Sequence, residues 1–202
     1  MRHSASGPTH TQRLPLQAVW ALQRAPAAGP GEAPPAARDE EWIEIPGPST
    51  VAAALRALGR WSLDAPAQRF DADDWWFRAR FDAPPRATGV RRRLVFGGLA
   101  GHCEAWLNGA PLLASDNMHL AHRCAEPRLE PTGNELLLRF ASLDAWLARK
   151  RPRPRWRAPM VEHQQLRFTR NTLLGRTPGW SPPAAPVGPW RAIEWVDERA
   201  VE

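Results

Sequence analysis

Three kinds of side chain in this sequence could do chemistry: clustered histidines, scattered carboxylates, and a tryptophan held in a Gly/Pro-rich loop. His102, His119 and His122 are close in sequence, as metal ligands often are. On an extended strand, however, His119 and His122 point to opposite faces, so joint ligation is not expected and surface or strand-pairing roles are. Asp71, Asp73 and Asp74 suggest a calcium loop, but the Gly and the distal Glu of an EF-hand are missing, and a solvated loop ahead of a strand is predicted instead. Glycoside hydrolysis needs one carboxylic acid to donate a proton and a carboxylate to attack or activate water. Asp64, Glu104, Glu126, Glu135, Glu162 and Glu194 are the candidates, and none forms a recognisable pair in sequence. There is no phosphate-cradling loop, nucleophile elbow, zinc-binding helix or dinucleotide fingerprint, so no catalytic residue, cofactor or metal is expected in this chain.

The loop is more informative. Gly175-Arg176-Thr177-Pro178-Gly179-Trp180-Ser181-Pro182 places an indole among residues that restrict the backbone. Sugars stack their apolar C–H faces on aromatic rings and offer hydroxyls to polar neighbours, so Trp180, Ser181 and Arg176 are candidate substrate-binding residues. A tryptophan plugging the end of a sandwich fits the same pattern, and the residues alone leave both readings open.

The elements that must position this loop are strands. A chain of 202 residues is long enough for one domain with a proper core. Residues 1–13 read as a tail and residues 14–202 as a single β-sandwich domain, with residues 14–23 as a candidate edge strand and residues 24–41 as a Pro/Ala-rich loop. Trp42-Ile43-Glu44-Ile45 is extended, and Ser49 or Thr50 caps a short helix that sets Val51, Leu55 and Leu58 on one face before Gly59. Trp75-Trp76-Phe77-Arg78-Ala79-Arg80-Phe81 then alternates with period two, Trp75, Phe77, Ala79 and Phe81 pointing one way. Leu94-Val95-Phe96 is a further strand. Residues 103–107 alternate before Asn108-Gly109, whose two positions tolerate positive φ and predict a type I′ hairpin into Pro111-Leu112-Leu113. Residues 118–124 and 135–140 follow as strands, Ser142 caps a second short helix, and residues 190–196 form the last strand. Many short strands without alternating helices predict an all-β, antiparallel sandwich of jelly-roll type with one or two short helices.

Composition limits the partners. The net charge is +6, but the basic residues are nearly all Arg, with Lys150 the one Lys, beside 22 Pro. That bias is what a GC-rich coding sequence produces. Arg91-Arg92-Arg93 and the run from Lys150 to Arg155 therefore read as solvated loops, and neither nucleic acid nor a membrane is expected as partner. Cys103 and Cys124 are too few for a disulfide framework and read as small core residues, with their redox state open. Pro15 and Gln17 interrupt the apolar run near the N-terminus, and no segment reaches the roughly 20 apolar residues of a membrane span, so a cytoplasmic protein is expected.

Taken in order, several segments resemble the N-terminal domain of family 2 glycoside hydrolases, in particular the β-mannosidase branch. They are Ile45-Pro46-Gly47 with the helix after it, the strand from Asp74 to Phe81, Leu94-Val95-Phe96-Gly97-Gly98-Leu99, Ala105-Trp106-Leu107-Asn108-Gly109, Asn117-Met118, Gly133-Asn134-Glu135-Leu136 and Gly188-Pro189-Trp190-Arg191. The resemblance implies a jelly-roll sandwich similar to galactose-binding domains. It also implies that the two catalytic Glu residues sit on a (β/α)₈ barrel, which takes roughly 250 residues and is not expected within this chain. Asn134-Glu135 looks like the Asn-Glu pair of the family's acid/base but precedes a strand, and is not expected to be catalytic. In β-mannosidases a loop resembling Gly-Trp-Asp-Trp-Gly-Pro lines the sugar pocket. Here it matches Gly179-Trp180-Ser181-Pro182, with Ser181 in place of the Asp. The expected function is a non-catalytic N-terminal module of a β-mannosidase-like enzyme, a separately encoded barrel chain being a possible partner and a β-mannoside or related glycoside the ligand. A free-standing carbohydrate-binding module is the alternative.

Overall fold

The computed structural model describes residues 9–28, 41–152 and 154–200. Residues 1–8 of the expected tail, most of the expected 24–41 loop and Arg153 lie outside the described residues. In chain order the strands are β1 (Thr9–Pro15), β2 (Val19–Ala25), β3 (Ile43–Ile45), β4 (Asp74–Phe81), β5 (Arg91–Phe96), β6 (Leu99–Ala100), β7 (His102–Leu107), β8 (Ala110–Ser115), β9 (His122–Ala125), β10 (Asn134–Ala141), β11 (Gly188–Pro189) and β12 (Ile193–Ala200). Two helices, α1 (Val51–Ala57) and α2 (Leu143–Leu147), interrupt them.

Alternation along the strands builds two facing layers. A six-stranded sheet runs β3-β2-β4-β10-β7-β8, and a four-stranded sheet runs β1-β12-β5-β9, every neighbouring pair antiparallel. In the larger sheet Phe77 faces Leu138 and Trp75 faces Phe140 across β4 and β10. These rings and side chains share one core with Leu94, Phe96, Ile193 and Trp195 of the smaller sheet. The result is the antiparallel sandwich expected from the strand period. The β7–β8 connection is the two-residue turn at Asn108 and Gly109, with φ of 50° and 77°, as a type I′ turn requires. Thr50 caps α1 by accepting from the Ala53 amide at 3.4 Å, and Ser142 caps α2 by accepting from the Ala145 amide at 3.1 Å.

Several expectations are corrected. The segment 14–23 is two strands, and residues 9–13 are not tail. Pro15, which has no amide hydrogen, ends β1, the chain crosses between sheets at residues 16–18, and β2 is an interior strand between β3 and β4. A polar edge strand such as β1 carries little hydrophobic period, which is why it reads as tail. The run Arg91–Arg93 is no solvated loop. It lies on β5, where Arg92 is buried, donating to both carboxylate oxygens of Asp197 at 2.7 and 2.6 Å and to the Pro84 and Pro85 carbonyls. The helical face of α1 holds at Val51 and Leu55, but Leu58 is exposed. The strand expected over 118–124 begins only at His122, so His119 is not on a strand, and residues 190–192 precede β12. Residues 164–168 form a short 3-10 helix.

The aspartates ahead of β4 are not solvated either. Asp73 accepts from Arg24 at 2.7 Å. Asp74 is buried on the outer side of the larger sheet, where its Oδ2 accepts from Arg139 Nε and Nη2 at 2.9 and 2.7 Å, and its Oδ1 accepts from the Ser142 amide at 2.7 Å. Arg139 is itself fully buried and donates through Nη1 to Glu104 at 3.0 Å. Trp76, on the face opposite Trp75, is buried there against Trp106, the ring centroids 5.6 Å apart.

Candidate functional site

The loop that carries Trp180 belongs to a long excursion between α2 and β11 that has no strand of its own. It is pinned to the end of the sandwich at several points. Met118 and Asn117 of the β8–β9 connection bridge to Arg170. Gly175 adopts φ of 78° and lies so close to the Ala184–Ala185 backbone that a Cβ would collide with it. The Gly175 amide donates to Ser181 Oγ at 2.9 Å, and Thr177 Oγ1 lies 3.3 Å from the same oxygen. The Trp180 amide donates to the Thr177 carbonyl at 3.0 Å. These bonds close residues 175–181 into a compact turn.

Arg176 anchors that turn to the core. Its side chain is only 8% exposed and forms an ion pair with Asp71, which lies in the 3-10 turn Phe70–Ala72 leading into β4, and its Nη1 is 3.8 Å from Asp144 on α2. Burial, with the Arg69 charge nearby, pulls the guanidinium down to about 10. That is still far above neutral pH, so the group stays charged and depends on Asp71 for compensation. Arg69 reaches Asp144 at 2.7 Å from the solvent side.

The three sequence candidates are therefore close together but in different situations. Arg176 and Ser181 line a cleft of about 560 Å³ with Arg69, Asp71, Glu162 and His163, while also holding the turn's shape. Trp180 is not part of that wall. Its ring is 77% exposed, so it does not plug the sandwich. Trp190 is half-buried, packs on Gly98 and donates from Nε1 to the Met118 carbonyl at 2.8 Å. Sequence reading misses Arg69 and His163, which carry no motif, and takes Asp71 for a solvated loop residue; the 69–71 segment meets His163 only through the fold. Asn134-Glu135 is structural. Asn134 is buried, accepting from Asn108 Nδ2 at 3.0 Å and from the Glu130 amide at 2.8 Å, and Glu135 pairs with Arg80. Among the described residues no group of three or more His, Cys, Asp or Glu is placed to hold a metal ion.

The same architecture occurs in solved structures. A β-D-mannosidase from Dictyoglomus thermophilum superposes with a TM-score of 0.68 at 20% identity, over 91% of this chain and 22% of that one. A β-glycosidase from Bacteroides vulgatus gives 0.52 at 15% identity, over 92% and 20%. At these identities the likeness is one of fold. Among sequences, β-mannosidase B of Thermothelomyces thermophilus is 32% identical over 123 residues, 59% of this chain and 14% of that protein. β-mannosidase B of Emericella nidulans is 36% identical over 93 residues, 42% and 11% respectively. The chain thus matches about one seventh or less of the length of these relatives. The family model for the galactose-binding-like domain of glycosyl hydrolase family 2 matches residues 30–191. With fold and sequence in agreement, the chain belongs to the galactose-binding-like domains of glycosyl hydrolase family 2.

Proposed function

We propose that this domain is the non-catalytic N-terminal module of a β-mannosidase-like glycosidase, and that its 175–182 turn forms part of the wall of a sugar pocket. The carboxylates that cleave the glycosidic bond then belong to a barrel outside these 202 residues, in the same protein or in a partner chain. The observation that carries this reading is the exposure of Trp180 on a turn that the Arg176–Asp71 pair and the Ser181 hydroxyl hold in place. A large apolar ring carried into solvent on a fixed backbone suits stacking against a pyranose, because the ordering cost of the turn is already met before the ligand arrives. Arg176 and Ser181 act mainly as the turn's frame, with their remaining polar surface turned to the cleft.

The test has two arms. The isolated chain should hydrolyse no aryl β-mannoside, and turnover abolished by one point mutation in it would overturn the proposal. In the assembled glycosidase, Trp180→Ala should lower kcat/KM by about tenfold or more, the loss of roughly one stacking contact. The same exposed ring also supports a free-standing carbohydrate-binding role. Calorimetry of the isolated chain with manno- and galacto-oligosaccharides separates the two, since heat abolished by Trp180→Ala favours the free-standing module.

A further inference from the structure

A second recess of about 500 Å³ lies on the other side of α2 from the Arg176 cleft, lined among others by His102, Glu104, Ser115, Asp116, Trp146 and Arg149. The helix divides the two: Asp144 turns to Arg69 and Arg176, while Ala145 and Trp146 face this recess. We propose that the recess is a binding site for a neutral saccharide unit, separate from the 175–182 turn and independent of the role assigned to it.

The wall is mixed, with Ala28, Ala114, Ala141 and Ala145 between the polar groups, and its polar groups are pre-organised. Glu104 is held by Arg139 Nη1, and Arg139 is fixed in turn by Asp74, so a buried network with no freedom to rearrange sets this carboxylate while leaving it 31% exposed. Ser115 Oγ is held by His122 Nε2 at 2.8 Å. The His102 ring packs on Trp146 with centroids 4.8 Å apart, its Nε2 3.4 Å from Thr169 Oγ1, and Arg151 stacks on the same indole at 3.6 Å. Trp146 is thus a fixed wall, with aromatic and cationic neighbours that keep it from turning.

Asp116 is the informative member. It is exposed and has no hydrogen-bond or ion-pair partner among the described residues, yet it shares the recess with Glu104. Two carboxylates that only accept, a serine hydroxyl and an imidazole match the hydroxyls of a sugar, each of which donates and accepts. An anionic ligand would meet both carboxylates with Arg149 as the one cation among the described residues lining the recess, a wholly apolar ligand would strip water from the Asp116 and Glu104 carboxylates without pairing them, and a sugar offers hydroxyls to these and C–H faces to the alanines. The volume falls within the roughly 300–1,000 Å³ usual for small-molecule sites.

The experiment is saturation-transfer NMR and calorimetry on the whole chain with mannose, galactose, glucose and their β-linked disaccharides, with glucuronate as the charged counterpart. Asp116→Ala, whose side chain makes no hydrogen bond or ion pair among the described residues, and the isosteric Glu104→Gln should each weaken binding of a neutral sugar about tenfold at a pH where His102 and His122 are neutral, the loss of one hydrogen bond to a charged acceptor. Unfolding temperature for Asp116→Ala should be unchanged, and Trp180→Ala should leave this binding intact. No binding of any neutral sugar at millimolar concentration, equal or tighter binding of glucuronate, or binding lost only in Trp180→Ala would each overturn the proposal.

Discussion

Arg139 shows how much a single side chain does on the outer face of the larger sheet. It is fully buried between Asp74 and Glu104, and Asp74 also fixes the start of α2 through the Ser142 amide. Replacing it with Met leaves Asp74 buried without its counter-charge, and chemical denaturation should show a loss of about 3–5 kcal/mol. The double change with Asp74→Leu should recover part of that loss, because an apolar pair removes the orphaned charge. A pH effect belongs to this scale too. Burial lowers the affinity of His102 and His122 for protons from the ordinary 6.5, with Asp116 opposing it in both. The unfolded chain therefore takes up protons first as pH falls below 6.5, so stability is complete above that value and declines through the window beneath it. Thermal melts should show this slope, and His102→Gln should flatten it. None of this is legible in sequence. The Asp74–Arg139 pair spans 65 residues, and a carboxylate three residues from another reads as solvated until the fold places a guanidinium over it.

At the scale of elements, alternation was the reliable guide. Every second residue from Trp75 to Phe81 is buried, as its period demands, and the Asn108–Gly109 turn joins β7 to β8. The turn makes a sharp prediction. With Gly109 at φ of 77°, Gly109→Val forces a β-branched residue into the left-handed region and should cost about 1–2 kcal/mol or more in equilibrium unfolding. Gly109→Asn should cost less. What alternation could not reveal was membership. In β1 the consecutive residues His10 to Arg13 are all exposed, so no period marks the strand, and an arginine run such as Arg91–Arg93 looks solvated although it is half of a ladder with β12, where Glu198 and Asp197 answer its charges. The 175–182 turn was legible as a candidate site because Gly, Pro and Trp together are rare. Its anchoring by Asp71 was not, since that contact joins segments more than a hundred positions apart.

For the molecule as a whole, the two layers and the excursion over their end define what can move. Cys103 sits on β7 in the larger sheet and Cys124 on β9 in the smaller one, and both are free thiols. Burial raises the Cys103 thiol well above its ordinary range and the half-buried Cys124 less so. Since the thiolate is the reactive form, alkylation followed by mass spectrometry should tag Cys124 slowly in the native state and Cys103 only when the sandwich opens globally. Labelling of Cys103 at the same rate as Cys124 would mean the layers separate locally. The family resemblance was legible in the order of weak segments across the chain, and the match over residues 30–191 agrees with it. The site assignment rests on where the fold puts one loop.

The scarcity of lysine has a practical side. Lys150 is exposed just beyond α2, adjacent in sequence to Arg149 in the wall of the second recess. Apart from the chain's own amino terminus, it is the one primary amine in the sequence. With the amino terminus blocked, an amine-reactive fluorophore would therefore attach at a single defined point, next in sequence to the wall of the second recess. Its emission could report, on one untouched wild-type molecule, whether a ligand enters the recess beside α2, and energy transfer from the indoles could place that ligand relative to the Trp180 turn.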